Sequence, residues 1–325
     1  MRAEPELSRK TVTGMTKKIL VALGGNAILK HTGSGTAAEQ FRNIAETSRY
    51  IAELVKAGHR IAITHGNGPQ VGDILLAYEC AKATIPLMPL DVCGAESAGM
   101  IGYMLQQSLG NELAGYSAPV VSLITRVCVD RNDPAFRSPS KPIGPFFTPL
   151  EALRMREERG WVVADDSGRG YRRLVPSPSP QAILESDAIS RLFSQGIIVI
   201  ACGGGGVPVV RDDSGSFHGV EAVIDKDHTA DLFARAIGAE ILLILTDVEK
   251  VSLDYGQKSQ RDIPLMTSDE AIRFRDAGHF APGSMEPKID AAISFLRAGG
   301  ERVIITRPEL GFAAIEGKAG TQIVL

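Results

Sequence analysis

Two lysines stand where local stability would not put them. In "VEAVIDKDHTA" an apolar run ends in Asp225, Lys226 and Asp227 just where a helix starts, and in "APGSMEPKID" Lys288 falls in the first turn of another helix, after a Gly-Ser turn. The N-terminal end of a helix carries partial positive charge, so an ammonium group there is disfavoured unless an anion offsets it. Taken singly, Lys288 reads first as an ordinary surface lysine and Asp227 as an N-cap. A third charged site, Thr246 and Asp247 in "ILTDVEKV", also comes after an apolar run.

Three glycine turns make the anionic reading stronger. "VALGGNA" (Gly24, Gly25, Asn26), "THGNGPQVG" (Gly66, Asn67, Gly68) and "ACGGGGVPV" (Gly203 to Gly206) each follow a β-branched run. Glycine at a strand end lets backbone approach a ligand closely, and the free N–H groups of a following helix bind anions. Two nucleotide motifs fail. "GFAAIEGKAG" has the wrong glycine spacing for a P-loop and Ala319 where a hydroxyl should stand, and "GNGPQVG" has one residue too many for a dinucleotide fingerprint. A Rossmann dehydrogenase is therefore a distant runner-up. A proline-rich excursion from about residue 130 to about 176 brings Lys141, Arg169, Arg172 and Arg173, either to face an anion or as a solvated insertion. Lysines, glycine turns and this excursion suit phosphoryl transfer between two anions, and no histidine-based proton relay is evident.

The elements that must hold these groups can be read from periodicity. "KILVAL", "RIAIT", "APVVSLI", "GIIVIA", "EILLIL" and "ERVIIT" are strands, alternating with helical patterns at 37 to 57, "QAILESDAISRLFSQG" and "PKIDAAISFLRAGG". Pro69 opens a helix directly after the second glycine turn. Strands this apolar, separated by helices, predict an α/β fold with a mostly parallel sheet covered on both faces, and ligands in such folds gather at the strands' carboxyl ends. With 325 residues, 44% of them hydrophobic, the chain can bury a large core. Lys+Arg 35 against Asp+Glu 38 leaves a net charge of -3, which argues against nucleic acid as a partner. The four cysteines are scattered, without metal-ligand spacing, which fits a reducing, cytoplasmic setting. No apolar window suits a membrane span, and residues 1–16 are expected to be a disordered polar extension.

The glycine and lysine stretches above, together with "PLDVCGAESAGMIGYML", "DPAFRSPSKPIGPF", "GRGYRRLVPSP" and "FAPGSMEPK", resemble in order the carbamate kinase family of the amino acid kinase superfamily, from about Lys17 to Leu325. The resemblance implies a single three-layer αβα domain over 17–325, with an acceptor half at 17–225 that carries a protruding lid and a nucleotide half at 226–325. It implies a homodimer catalysing ATP + carbamate ⇌ ADP + carbamoyl phosphate with Mg2+, in arginine or other nitrogen metabolism. By the same resemblance, Gly24, Gly25, Asn26, Gly66, Asn67, Gly68, Gly203 and Gly204 would hold the phosphoryl group and carbamate. Lys141 would be the lid lysine, Lys226 and Lys288 would flank the β- and γ-phosphates, and Asp227 would organise the lysines. Thr246, Asp247, Val248, Lys250, Gly283, Ser284 and Met285 would lie by the nucleotide, and no protein ligand to a metal is identified.

Related kinases such as N-acetylglutamate kinase carry a lysine two residues before the first glycine pair, where this chain has Ala22. Glu96, Ala98, Arg126 and Glu286 depart from the family's pattern, and the first two bear on the acceptor side. A relative forming another acylphosphate, and a non-catalytic nucleotide sensor, are the competing readings.

Overall fold

The computed structural model describes residues 16–25, 28–29, 35–166, 168 and 170–325. The N-terminal extension expected at 1–16, save Thr16, and the predicted Asn26 and Arg169 lie outside them. Eight strands form the central sheet, in the order Leu265–Thr267, Thr321–Val324, Arg302–Thr306, Ile241–Leu245, Lys18–Leu23, Arg60–His65, Ile198–Ile200 and Val120–Ser122. Every neighbouring pair is parallel except Arg302–Thr306 with Thr321–Val324. The six predicted strands are all present in it.

Alternation along these strands builds two cores. Ile19, Val21 and Leu23, with Ile61 and Ile63, pack against the helices Ala37–Lys56 and Leu90–Glu112. Leu20, Ala22 and Ala62 point the other way, toward the helices Ser186–Ser194, Lys226–Ala236 and Glu286–Arg297. Each fully buried isoleucine or leucine contributes roughly 1.5–3 kcal/mol, and burial on both faces accounts for how apolar the central strands are. Helices on both faces of the sheet make the three-layer sandwich.

One local expectation changes, and two strands went unread. "QAILESDAISRLFSQG" is not one helix: Pro180–Ile183 is a strand antiparallel to Arg126–Val129, and the helix runs only over Ser186–Ser194. The strands Leu265–Thr267 and Thr321–Val324 are too short to show a period, and pairing across the sheet edge defines them.

The excursion folds as an antiparallel sheet of Lys141–Phe147, Tyr171–Val175 and Val162–Asp165, with the helix Pro149–Arg159. Thr148 and Glu151 cap that helix reciprocally. It leans on the helix Gly68–Ala81, where a side chain on Gly72 would place its Cβ 2.1 Å from Gly144 Cα. Val71, Leu90, Cys93, Ile143 and Val175 form the small core between them. Arg172 and Arg173 do not wait for a ligand: Arg172 binds the Gly144 carbonyl and Asp166, while Arg173 binds Glu221 and stacks on Trp161. Their charge is already used within the fold.

Candidate active site

Four adjacent parallel strands deliver their carboxyl ends to one edge. The register sets Leu245 beside Leu23 and Leu23 beside His65, and Ile200 lies beside Ile63 on the next strand over. Thr246, Gly24, Gly66 and the residues after Ile200 therefore emerge side by side. Gly24 N–H donates to the Leu245 carbonyl at 2.8 Å, and Gly66 N–H donates to Leu23 at 3.0 Å. A Cβ on Gly24 would stand 3.1 Å from that same carbonyl, and one on Gly66 would stand 3.3 Å from Lys226 Cδ and 3.5 Å from Gly25 N. The stem of Lys226 thus lies over the second glycine turn, against the first.

Gly66 and Asn67 run directly into the helix Gly68–Ala81, with a proline in its first turn. After the first glycine turn, the Ile28 and Leu29 N–H groups both donate to the Gly25 carbonyl, at 3.0 and 2.9 Å. Asn67 occupies the N-cap position without capping; its amide donates to Ser97 Oγ at 2.8 Å, and that hydroxyl donates to the Gly94 carbonyl. The first N–H groups of the helix stay open to the site.

The third glycine turn leads into a strand. Gly203–Gly205 forms a 3-10 turn that leads into the strand Val207–Arg211, not into a helix. A Cβ on Gly203 would fall 2.5 Å from His65 Nε2, and one on Gly204 2.1 Å from Asn67 Nδ2. Gly204, Gly205 and Gly206 have φ of 69°, 92° and 85°, a region side chains disfavour. Gly203 and Gly204 seat His65 and Asn67 from behind, while Gly205 and Gly206 pack against Ile224 and Val127. Burial pushes His65 down to about 4, with the Gly66 carbonyl opposing and Lys226 adding to the shift, so the imidazole is neutral.

The charged cluster comes from two helix N-termini and the excursion. Asp225 caps the helix Lys226–Ala236, its Oδ1 accepting the Asp227 N–H at 2.9 Å. Asp227 is buried, 3% exposed, and its two oxygens take Lys226 Nζ at 2.6 Å and Lys288 Nζ at 3.2 Å. Burial disfavours the Asp227 carboxylate, but Lys226 and Lys288 outweigh it and hold the group well below the usual carboxylate range. Lys288 is 9% exposed and donates also to the Ser284 carbonyl at 2.9 Å. Burial lowers its pKa, Asp227 opposing and Lys226 reinforcing the shift. Lys141 Nζ reaches Asp225 Oδ2 at 2.5 Å. Three ammonium groups thus share two carboxylates and leave an excess of positive charge.

Beside this cluster, Thr246, Asp247, Val248, Lys250, Ser284, Met285 and Lys288 line one cleft, and Gly283 turns the chain into it at φ 70°. Sequence reasoning missed Ser252, Tyr255, His279, Phe280 and Ala281 on its wall. His279 is held by Asp254 at 2.7 Å and lies edge-on to Phe274, contacts that no local pattern announces. Of the departures, Glu96 accepts from Tyr78 Oη at 2.8 Å, and Arg126 pairs with Glu185 at 2.8 Å. Ala98 packs behind the third glycine turn, its Cβ 3.2 Å from where a Cβ on Gly203 would stand, and Glu286 opens the helix that carries Lys288.

The sequence profile of the amino acid kinase family matches residues 17–307. The carbamate kinase of Pyrococcus furiosus is 48% identical over 95% of this chain and 100% of its own. The carbamate kinase-like protein YahI of Escherichia coli is 44% identical over 95% and 99% of the two chains. The structure of carbamate kinase from Giardia lamblia bound to AMP-PNP superposes with a TM-score of 0.88 at 39% identity, covering 97% of this chain and 99% of that one. With a mostly parallel sheet that brings glycine turns, lysines and a cleft to one edge, and with similarity along nearly its whole length, the chain belongs to the amino acid kinase family, among the carbamate kinases.

Proposed function

We propose that the site catalyses ATP + carbamate ⇌ ADP + carbamoyl phosphate. The observation that carries this is Asp227, whose two carboxylate oxygens are both committed to lysines. A kinase acting on an alcohol needs a base for the hydroxyl proton, whereas carbamate presents an oxygen that is already anionic. What the reaction requires is that two anions be brought together, and fixed ammonium groups and N–H donors do that at no reorganisation cost.

In this reading, the nucleotide lies in the Thr246 to Lys250 and Ser284 to Lys288 cleft, with its phosphates directed at Lys226 and Lys288. The Gly24-Gly25 and Gly66-Asn67-Gly68 backbones receive the transferred group and the carbamate. Gly203 and Gly204 act through Asn67 and His65. Lys141 closes the site from the excursion, which serves as the lid. Among the described residues no three His, Cys, Asp or Glu side chains converge as a metal cage. Mg2+ would be carried in on the nucleotide's phosphates, where it neutralises charge, as part of the substrate.

Fully buried Ala22 leaves no room for the lysine that related acylphosphate kinases place there, which favours carbamate as acceptor. A homodimer is supported by the strand Val120–Ser122 at the sheet's edge, flanked by the exposed Tyr103, Tyr116 and Ile124. The cytoplasmic assignment rests on four unpaired cysteines. The test is ATP formation from MgADP and carbamoyl phosphate, with acetyl phosphate as comparator and EDTA as control. Folded protein that makes no ATP at millimolar substrate would refute the reading, and a preference for acetyl phosphate would move the acceptor to another carboxylate.

A further inference from the structure

We propose that Asp225 is the positioning residue for Lys141, holding the lysine of the excursion in register with Lys226 and Asp227. The inference rests on the phosphoryl-transfer reading of the site and adds a residue to which that reading assigns no role. Its basis is how the two oxygens of one carboxylate are divided. Oδ1 accepts the Asp227 N–H at 2.9 Å, which ties the carboxylate to the start of the helix Lys226–Ala236. Oδ2 accepts Lys141 Nζ at 2.5 Å, across 84 residues of sequence.

The cap makes Oδ2 a fixed point. Thr229 Oγ1 bonds the Gly205 carbonyl at 3.0 Å, so the helix itself is tied to the glycine turn behind Asn67. Lys141 belongs to a separate small sheet, and a lysine side chain left unpaired carries up to about 2 kcal/mol of rotamer entropy. Anchoring its ammonium to Asp225 removes that freedom before any substrate arrives. It also offsets the charge of Lys141, as the Asp227 carboxylate does in part for Lys226 and Lys288. Asp225 touches no substrate in this scheme and acts through Lys141 alone.

Asp225→Asn separates the two functions, because an amide oxygen still caps the helix while the ion pair is lost. The kcat for ATP formation from MgADP and carbamoyl phosphate should fall roughly ten- to a hundredfold, the range expected of a misplaced group. In a Lys141→Ala background the same substitution should cost nothing further, since coupled residues are not additive. A second readout needs no activity: hydrogen exchange of the amides of residues 141–147 in the ligand-free protein. Exchange there should rise by about tenfold or more in Asp225→Asn and in Lys141→Ala alike, and no further in the double variant. Wild-type kcat with unchanged exchange overturns the proposal. So does an equal loss of kcat in both backgrounds, which would assign Asp225 to the helix cap instead. If the unmodified protein makes no ATP, the activity reading fails on its own and the exchange result decides the ion pair.

Discussion

Asp227→Asn asks most directly whether the lysines are held or merely present. The carboxylate is 3% exposed and bridges Lys226 at 2.6 Å and Lys288 at 3.2 Å. Asparagine keeps the shape and removes the charge, leaving two ammonium groups beside each other. Breaking a buried ion pair from one side costs roughly 3 to 5 kcal/mol, unless a partner gives up its charge. Lys288 is the partner that yields, because burial already lowers its pKa and Asp227 is what opposes that shift. A neutral Lys288 no longer stabilises a phosphate, and loss of one fixed donor costs about 10²- to 10³-fold in kcat. Protonation of Lys288 recovers as pH falls, so the variant's residual rate should rise toward acid relative to wild type, over the pH range in which both remain folded. Coupled ATP formation across pH and urea unfolding measure these quantities, and unfolding should show a loss of roughly 3 kcal/mol, with a folded state surviving. Wild-type turnover together with a stability change below about 0.5 kcal/mol would refute the reasoning, since that is what an ordinary surface residue shows.

Lys226→Ala and Lys288→Ala should each lower kcat by about 10²-fold while MgADP binding, measured by calorimetry, weakens far less. For His65, the folded pKa of about 4 lies below the ordinary 6.5, so the folded state favours the neutral ring. Its contribution is therefore complete above the unfolded value and is lost as pH falls from about 6.5 to about 4, roughly 3 kcal/mol in all, and this slope should be missing in His65→Gln on denaturant titration. Gly204→Ala combines φ 69° with a Cβ 2.1 Å from Asn67 Nδ2, and should destabilise by more than about 1 kcal/mol and raise KM for carbamoyl phosphate. Arg173→Ala should shift the fluorescence of Trp161, on which it stacks at 4.4 Å, while kcat stays near wild type.

The sequence by itself determined the strands, the glycine turns and the placement of the lysines at helix starts, because each depends on residues within a few positions of one another. Alternating β-branched runs can be buried only as a covered parallel sheet, and in such a sheet the turns after consecutive strands must meet at one edge. Ordered motifs carried the family for the same reason. Tertiary structure alone decided what each group faces. Asp227 meets Lys288 across 61 residues and Asp225 meets Lys141 across 84, distances over which no local pattern carries information. In the run Gly203–Gly206, close packing against His65 and Asn67 excludes side chains at Gly203 and Gly204, and Ile224 and Val127 exclude them at Gly205 and Gly206, contacts the four-glycine run does not announce. Arg172 and Arg173 looked free to bind an anion, and were claimed by Asp166, Glu221 and Trp161 only when their sheet formed. Composition shows which charges a chain owns; only the folded geometry shows which of them are already paired.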